Sequence, residues 1–293
     1  MTAMRTDTVP VEIVARPERD RLGEGPVWVP ERGHLFWVDI EAPAIRWLDL
    51  AGGRTGSHAF PEPVGWIIPR AGRSDFVVGL KSGFAVFDPE AGRLEPLGDP
   101  EPEHPDNRLN DAKVDVAGRI WAGSKHCADA AATGALHRLD PDLTWHCHDR
   151  GYGVANGPTF SLDERILYHT DSAIRTVFAF DLGADGALSG KRVFLRFPEA
   201  WGYPDGMTTD AQGCLWIAHW GGGRISRFDP GGALLRSIAL PATNITSCAF
   251  AGPDLDRLYV TSAAQGREDE PAAGALFVLD PGIRGLPPRA FAG

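Results

Sequence analysis

A short turn-and-strand motif built around an aromatic residue occurs six times in this 293-residue chain. Its copies are GHLFWVD (33–39), SDFVVGL (74–80), GRIWAGS (118–124), ERILYHTD (164–171), GCLWIAH (213–219) and DRLYVTS (256–262). A second motif, an apolar strand ending in aspartate, follows each copy and ends at Asp49, Asp88, Asp140, Asp181, Asp229 and Asp280. Four short strands in about 40–50 residues, repeated six times, are typical of a β-propeller. We therefore predict an all-β, six-bladed β-propeller with a central metal site.

The repeating unit reads as strands because its segments are short, rich in Val, Ile and aromatic residues, and bounded by Gly, Pro and Asp. No stretch shows a sustained helical period. We expect one propeller domain over residues 1–293. The tail after ALFVLD (275–280) leaves little room for a fourth strand in blade six, and VPVEIVARP (9–17) alternates apolar and polar residues. We predict that a strand in about 9–17 closes the last blade.

Composition excludes some classes of function. The formal net charge is −10, whereas nucleic-acid binding requires a basic footprint. The chain starts without an apolar signal segment, and nowhere do 18 apolar residues run together, so we expect no membrane partner. The four cysteines form no CxxC pair, which favours a reduced, cytoplasmic protein, although the sequence leaves a Cys127–Cys147 disulfide open.

The aromatic residues also give a register. Eleven to thirteen residues before each of them stand Glu24, Val64, Asn110, Asn156, Asp205 and Thr246. In a propeller, equivalent positions of the inner strands form a ring around the channel. Glu24, Asn110, Asn156 and Asp205 offer only oxygen and amide groups, a set that suits Ca²⁺, Mg²⁺ or Mn²⁺, while Fe²⁺ and Zn²⁺ remain open.

A simpler interpretation of the same residues is that they form turns. Glu24, Asn156 and Asp205 each precede a glycine, and Asn or Asp before Gly is common in turns. Two carboxylates that meet in one channel repel each other unless a cation neutralises them. Agreement of four polar residues at one register favours the cation site.

Four segments carry a family resemblance: LGEGPVW (22–28), RLNDAKVDVAGRIWAG (108–123), NGPTFSLDERILYHTDS (156–172) and YPDGMTTDAQGCLWIAHWGG (203–222). They resemble the regucalcin, senescence marker protein and gluconolactonase family, and in particular its bacterial sugar-acid lactonases of the xylonolactonase or arabinolactonase type. The resemblance extends from about residue 20 to about 280.

The resemblance implies a propeller with one divalent metal that is held by Glu24, Asn156 and Asp205. It assigns substrate binding to Arg108 and Asn110. The family's animal members carry an acidic substrate contact in the loop after the third aromatic strand, where this chain offers only Asp129 in SKHCADAAATG (124–134). With the metal as Lewis acid, Asp205 is the predicted general base. Trp66, His126, Tyr152 and Trp220 are candidates for the rim, although packing is the commoner role of such residues.

Four functions are compatible with this pattern. The leading hypothesis is metal-dependent hydrolysis of a sugar-acid lactone such as xylono-, arabinono- or gluconolactone to the aldonic acid, with the lactone as a small-molecule partner. The alternatives are a calcium-binding regulatory protein without a catalytic role, a promiscuous phosphotriesterase, and a platform for protein interaction. The sequence leaves the sugar, the metal and the oligomeric state open.

Overall fold

The blade prediction is confirmed by a computed structural model, which describes residues 6–7 and 9–293. In the described residues, six sheets follow one another along the chain, each with four antiparallel strands and one with a short fifth strand at its outer edge. The first antiparallel strand of each packs against the corresponding strands of its two neighbours, which closes a ring. Three short 3₁₀ turns interrupt the β structure, at Pro30–Arg32, Ser172–Ile174 and Glu199–Trp201. No helix among the described residues has the length and apolar character needed to cross a bilayer.

The strands of each blade run from the channel outwards. Blade one holds Gly23–Val29, His34–Asp39, Ala44–Asp49 and Thr55–Ala59; blade two Val64–Pro69, Phe76–Leu80, Gly83–Asp88 and Arg93–Gly98; blade three Asn107–Val114, Ile120–His126, Gly134–Leu139 and Trp145–Tyr152; blade four Ala155–Phe160, Ile166–Asp171, Thr176–Leu182 and Leu188–Arg196; blade five Tyr203–Thr209, Leu215–Trp220, Arg224–Phe228 and Leu234–Ala239, with Thr6–Asp7 added parallel at its outer edge; blade six Ile245–Ala251, Arg257–Ser262, Phe277–Leu279 and Val11–Ile13.

The last blade combines the two ends of the chain. Val11–Ile13 pairs antiparallel with Phe277–Leu279 and forms the outer strand of blade six. None of the four cysteines, all of which lie in the described range, forms a disulfide. The ring is therefore closed by strand pairing and packing without a covalent link.

The repeated aromatic residues of the second strands are buried between blades. In blade three, the indole N–H of Trp121 donates to Asp115 Oδ2 at 2.9 Å, and Arg119 Nε contacts the same carboxylate at 2.6 Å. Blades one and five repeat this indole–carboxylate–guanidinium arrangement in Trp37, Asp20 and Arg46 and in Trp216, Asp210 and Arg227. Blades two, four and six place Phe76, Tyr168 and Tyr259 there. The indole N–H groups of Trp37, Trp121 and Trp216 thus have acceptors, as burial requires.

Four of the six aspartates at the ends of the third strands act in turns, as the Pro or Gly within the next three residues suggests. Asp49, Asp88 and Asp229 each accept two backbone N–H groups from the residues that follow, and Asp280 accepts that of Gly282. An aspartate that binds the backbone two residues ahead stabilises such a turn.

The C-terminal residues 283–293, which we call the C-terminal strap, cross the end of the propeller where the inner strands finish. The Arg284 carbonyl accepts from Ala211 in blade five at 2.9 Å, and the Gly285 N–H donates to Leu255 in blade six at 2.7 Å. Arg289 forms an ion pair with Glu164 in blade four. The strap thereby connects three blades within seven residues.

The end of the strap is bonded to two further blades, blades two and three. The Phe291 N–H donates to Pro69 O at 2.9 Å in blade two, and that of Ala292 donates to Gly118 O at 3.0 Å in blade three. The Phe291 ring is fully buried. The strap lines a cavity of about 130 Å³ at this end of the channel.

We expect Phe291→Ala to destabilise the protein by about 3–5 kcal/mol, because it removes a fully buried aromatic ring and leaves a cavity. Denaturant unfolding followed by tryptophan fluorescence measures the change. Leu235→Ala is the control, since the Leu235 side chain is half exposed and its loss should cost less than about 1 kcal/mol. Equal destabilisation by the two variants would contradict the structural role of the strap.

Candidate active site

In each blade, the pairing between the inner strand and the second strand is interrupted at or next to the residue that lies 11–13 positions before the repeated aromatic. The interruptions lie between Glu24 and Val27, Val64 and Trp66, Leu109 and Ala112, Asn156 and Thr159, Pro204 and Met207, and Ile245 and Ser247. A β-bulge of this kind turns a side chain out of the ordinary alternation and is frequent next to functional sites. The six-fold register therefore corresponds to six bulges at one end of the channel.

Glycine makes two of these bulges possible. Gly25 follows Glu24 with φ +53°, and Gly157 follows Asn156 with φ +38°. Glycine adopts this left-handed conformation without steric cost, whereas other residues rarely do. At Gly157, an added Cβ would also lie 2.8 Å from the Met207 side chain. Glu24-Gly25 and Asn156-Gly157 therefore combine a left-handed glycine, which is typical of turns, with a position at the bulge of an inner strand.

A hydrogen-bonded chain connects the polar residues of blades three, four and five. Arg108 Nη1 donates to Asn110 Oδ1 at 2.6 Å, and Asn110 Nδ2 donates to Asn156 Oδ1 at 2.6 Å. Asn156 Nδ2 donates to Ser172 Oγ at 2.9 Å, and the Ser172 hydroxyl donates to Pro204 O at 2.6 Å. Because Ser172 gives its proton to Pro204, it can only accept from Asn156, which fixes the orientation of that amide.

Asn110 is largely occupied by this chain. Its amide N–H groups donate to Asn156 Oδ1 and to Ala155 O at 2.7 Å, and its Oδ1 accepts from Arg108. An amide oxygen has two lone pairs, so one acceptor position is left for a ligand. The side chain is better suited to holding Arg108 and Asn156 in place than to donating to a sugar.

Three carboxyl groups are buried at the same end of the channel: Glu24, Asp111 and Asp205. Burial raises the pKa of each of them, and the neighbouring charge of Asp111 raises the pKa of Glu24 and Asp205 further. Asp111 accepts the backbone N–H groups of Ala112 at 2.7 Å and Gly157 at 2.9 Å. Its two oxygens are therefore engaged, while its charge still acts on the other two carboxyl groups.

Asp205 Oδ1 is buried and has no hydrogen-bond partner among the described residues. A buried carboxylate oxygen without a partner is costly, and a cation or a bound proton donor would satisfy it. The surrounding oxygens and the raised pKa values of Glu24 and Asp205 fit a divalent cation. Across residues 9–293, no three His, Cys, Asp or Glu side chains form a cluster suited to a metal, so the set depends on the amide of Asn156 as a third donor.

The substrate-side candidates lie in blade three. Arg108 is buried, and burial lowers the pKa of its guanidinium. Lys125, which the sequence did not single out, is buried beside it and binds Asp129 with 2.5 Å between Nζ and Oδ1. Burial, followed by the charge of Arg108, lowers the pKa of Lys125. Asp129 itself is more than half exposed and is held by this lysine.

The other positions of the register have different roles. Val64 is fully buried, and the Thr246 hydroxyl donates to Gly23 O at 2.5 Å. Trp66 and Tyr152, two of the rim candidates, belong to hydrophobic clusters and are about 1% exposed, so packing is their role. His126 and Trp220 are partly exposed.

Sequence reasoning missed Asp111, Ser172 and Lys125. A signal for Asp111 was available: the residue after the register position is Gly25, Gly65, Gly157, Gly206 or Ser247 in the other blades, and only blade three has a carboxylate there. Ser172 lies in the segment NGPTFSLDERILYHTDS (156–172), where it follows Asp171. Its hydrogen bond to Asn156 becomes visible only when the second strand of blade four is placed beside the first.

The fold and this site define a class: six-bladed β-propellers with buried oxygen donors gathered at one end of the channel. Residues 22–264 match the family described as the SMP-30/Gluconolactonase/LRE-like region, and the chain belongs to that family. The family resemblance seen in the four sequence segments is thereby confirmed.

Individual relatives are similar over nearly their whole length. The chain is 37% identical to a pentonolactonase of Haloferax volcanii, covering 91% of this chain and 93% of the relative. It is 36% identical to regucalcin of Danio rerio, covering 98% and 99%. A solved structure of a calcium-binding protein, regucalcin, from Agrobacterium tumefaciens superposes with a TM-score of 0.91 at 26% identity, covering 97% of this chain and 98% of the other.

Proposed function

We propose that this protein is a metal-dependent lactonase that hydrolyses a sugar-acid lactone, such as xylono-, arabinono- or gluconolactone, to the aldonic acid. The observation that carries the proposal is the buried, unpartnered Oδ1 of Asp205 beside two further carboxyl groups. The family membership and the similarity to a pentonolactonase support it. One divalent cation would be held by Glu24, Asn156 and Asp205.

The contacts of Asp205 and Glu24 suggest a separate role for each in the proposed reaction. When bound, a divalent cation supplies Lewis-acid polarisation of a carbonyl group and lowers the pKa of water. Asp205 accepts the proton of the attacking water at its free oxygen, as a general base must. Glu24 would serve as a permanent ligand: its Oε2 accepts from the Gly25 N–H at 2.8 Å, which holds the carboxyl group in place and leaves Oε1 for the cation.

Arg108 orients the substrate. Its Nη1 is engaged with Leu109 O at 3.1 Å and with Asn110 Oδ1, which leaves its other N–H groups for the lactone carbonyl side or a hydroxyl. Asn110 and Ser172 hold Arg108 and Asn156 in position through the hydrogen-bonded chain. The C-terminal strap covers the opposite end of the channel, so the lactone enters at the end where Arg108 lies.

The experiment removes and restores the metal. Protein stripped with a chelator receives Ca²⁺, Mg²⁺, Mn²⁺, Fe²⁺ or Zn²⁺ separately, and acid release from xylono-, arabinono-, galactono- and gluconolactone is followed by pH-stat. We expect metal-dependent acid release well above the spontaneous hydrolysis measured without protein. Calcium binding with no metal-dependent release from any lactone would refute the lactonase and favour a calcium-binding role, as described for the regucalcin of Agrobacterium tumefaciens.

A further inference from the structure

Two cations, rather than one, are buried on the substrate side of blade three. Arg108 and Lys125 are directly opposite each other on neighbouring antiparallel strands, and their residues are 6% and 8% exposed. Side chains of directly opposite residues project from the same face of a sheet, and like charges in this arrangement are unfavourable. A pair of this kind needs an anion nearby.

Among the described residues, only one carboxylate lies within ion-pair distance of this pair, and it is at the surface. Asp129 binds Lys125, but its side chain is 55% exposed, and the residue has φ +54° in the loop 127–133. The Arg108 guanidinium donates to two neutral oxygens, and within residues 9–293 it has no Asp or Glu oxygen within 4 Å. Glu24 acts on Arg108 and Asp205 on Lys125 from farther away, so the two buried positive charges have a single, exposed carboxylate in direct contact. Buried charges are normally paired, so the arrangement has room for a second carboxylate.

We propose that Arg108 and Lys125 form a carboxylate-binding subsite, and that the preferred substrate is a lactone carrying a second carboxylate, as in the monolactones of aldaric acids. The proposal rests on the proposed lactonase function and narrows its substrate class. The guanidinium offers a planar pair of donors and the ammonium a compact charge, which together suit a carboxylate. Asp129 is then a displaceable counter-ion: Lys125 leaves it when the substrate carboxylate arrives.

Two lactones that differ at one carbon test this directly. D-galactaro-1,4-lactone has a carboxylate at C6 where D-galactono-1,4-lactone has a hydroxymethyl group. With the metal restored, the wild-type protein should show a higher kcat/KM for the galactaro compound. Lys125→Met keeps the length of the side chain and removes its charge. It should lower the galactaro/galactono ratio of kcat/KM by about 10-fold or more, through KM, as expected for loss of a charge-assisted hydrogen bond.

A matched control distinguishes a direct contact between Lys125 and the substrate from the long-range electrostatic effect of any lysine. Lys81→Met makes the same change at an exposed lysine whose ammonium contacts Pro105 O at 3.1 Å and which lines a small pocket with Arg108. The ratio should stay within about twofold of wild type, because an exposed charge is well screened. An equal effect of both variants would overturn the subsite in favour of long-range electrostatics.

Asp129→Asn separates substrate binding from a purely structural role of the ion pair. Asparagine tolerates the left-handed conformation of this position and removes the competing carboxylate. It should lower KM for the galactaro lactone, opposite in sign to Lys125→Met. If the ion pair only shapes the loop, both variants will change both lactones in the same direction, and the subsite is refuted.

A binding measurement makes the outcome independent of turnover. Calorimetric titration of galactarate and galactonate should show tighter binding of the dicarboxylate to wild type, and this preference should be lost in Lys125→Met. Hydrolysis of both lactones with no preference, and no difference in binding, would overturn the subsite alone. Absence of hydrolysis of any lactone would refute the lactonase, while a Lys125-dependent preference for galactarate would still support the subsite.

Discussion

Asp205→Asn should lower kcat for lactone hydrolysis by about 10²–10⁴-fold, the range by which a positioned general base accelerates proton transfer. The carboxamide keeps the size of the side chain and one oxygen donor, but it cannot accept a proton from water at the buried position of Oδ1. The measurement is kcat with saturating metal, together with the metal content of the purified variant. The two readouts separate a lost base from a lost ligand.

The control for this substitution is Asp181→Asn. Asp181 is the last residue but one of the third strand of blade four, and its exposed carboxylate pairs with Arg192 at the surface. The same chemical change there should leave kcat at the wild-type value. If Asp205→Asn retains near wild-type kcat with metal bound, another group acts as the base and the assignment of Asp205 is wrong.

Glu24→Gln should change stability in opposite directions with and without metal. In the metal-free protein, burial and the charges of Asp205 and Asp111 raise the pKa of Glu24. A carboxyl group whose folded pKa is raised makes the folded state less stable as pH rises above its ordinary value near 4.5. The uncharged glutamine removes this loss, so we expect the stripped variant to be more stable than stripped wild type at pH 8.

With metal bound, we expect wild type to be more stable than Glu24→Gln. A ligand that binds only the folded state at about 100 times its dissociation constant stabilises it by about 2.7 kcal/mol. The variant has one carboxylate fewer, binds the cation more weakly, and should lose most of this increment. Thermal unfolding of wild type and variant at pH 5 and pH 8, each with chelator and with added cation, measures both effects. Equal metal-induced shifts in the two proteins would argue against Glu24 as a ligand.

The sequence was sufficient for the architecture because the aromatic positions repeat. Trp37, Trp121 and Trp216 mark the second strands of blades one, three and five, and burial of so large a side chain leaves little freedom in where each strand lies. The repeat did not reveal the path of the C-terminal strap. Its contacts with five blades are backbone hydrogen bonds, a side-chain hydrogen bond from Arg70, two ion pairs and the buried ring of Phe291, and no repeating pattern of residue types encodes them.

The spacing to the aromatic residues predicts that Glu24, Asn156 and Asp205 lie at one end of the channel. The structure places all three at the bulges of the inner strands at that end. Lys125 was missed for a physical reason. It stands just after the motif GRIWAGS (118–124), and strand alternation alone does not say which residue it faces. Its place opposite Arg108 depends on the bulge between Leu109 and Ala112, which shifts the pairing of everything before it. The backbone contacts in the folded protein determine where a bulge forms, and the residue types around Asn110 do not predict it.

The manner in which the chain ends has a consequence for biosynthesis. The third strand of blade six, Phe277–Leu279, receives its outer partner from Val11–Ile13, and the strap that follows makes its last contact when the Gly293 carbonyl accepts from Arg70 Nε at 2.8 Å. On the ribosome, blades one to five can form in order as they emerge. The apolar faces of blades one and five that pack against blade six stay exposed until that blade forms. The ring with its strap is complete only after residues 275–293 have left the ribosomal exit tunnel.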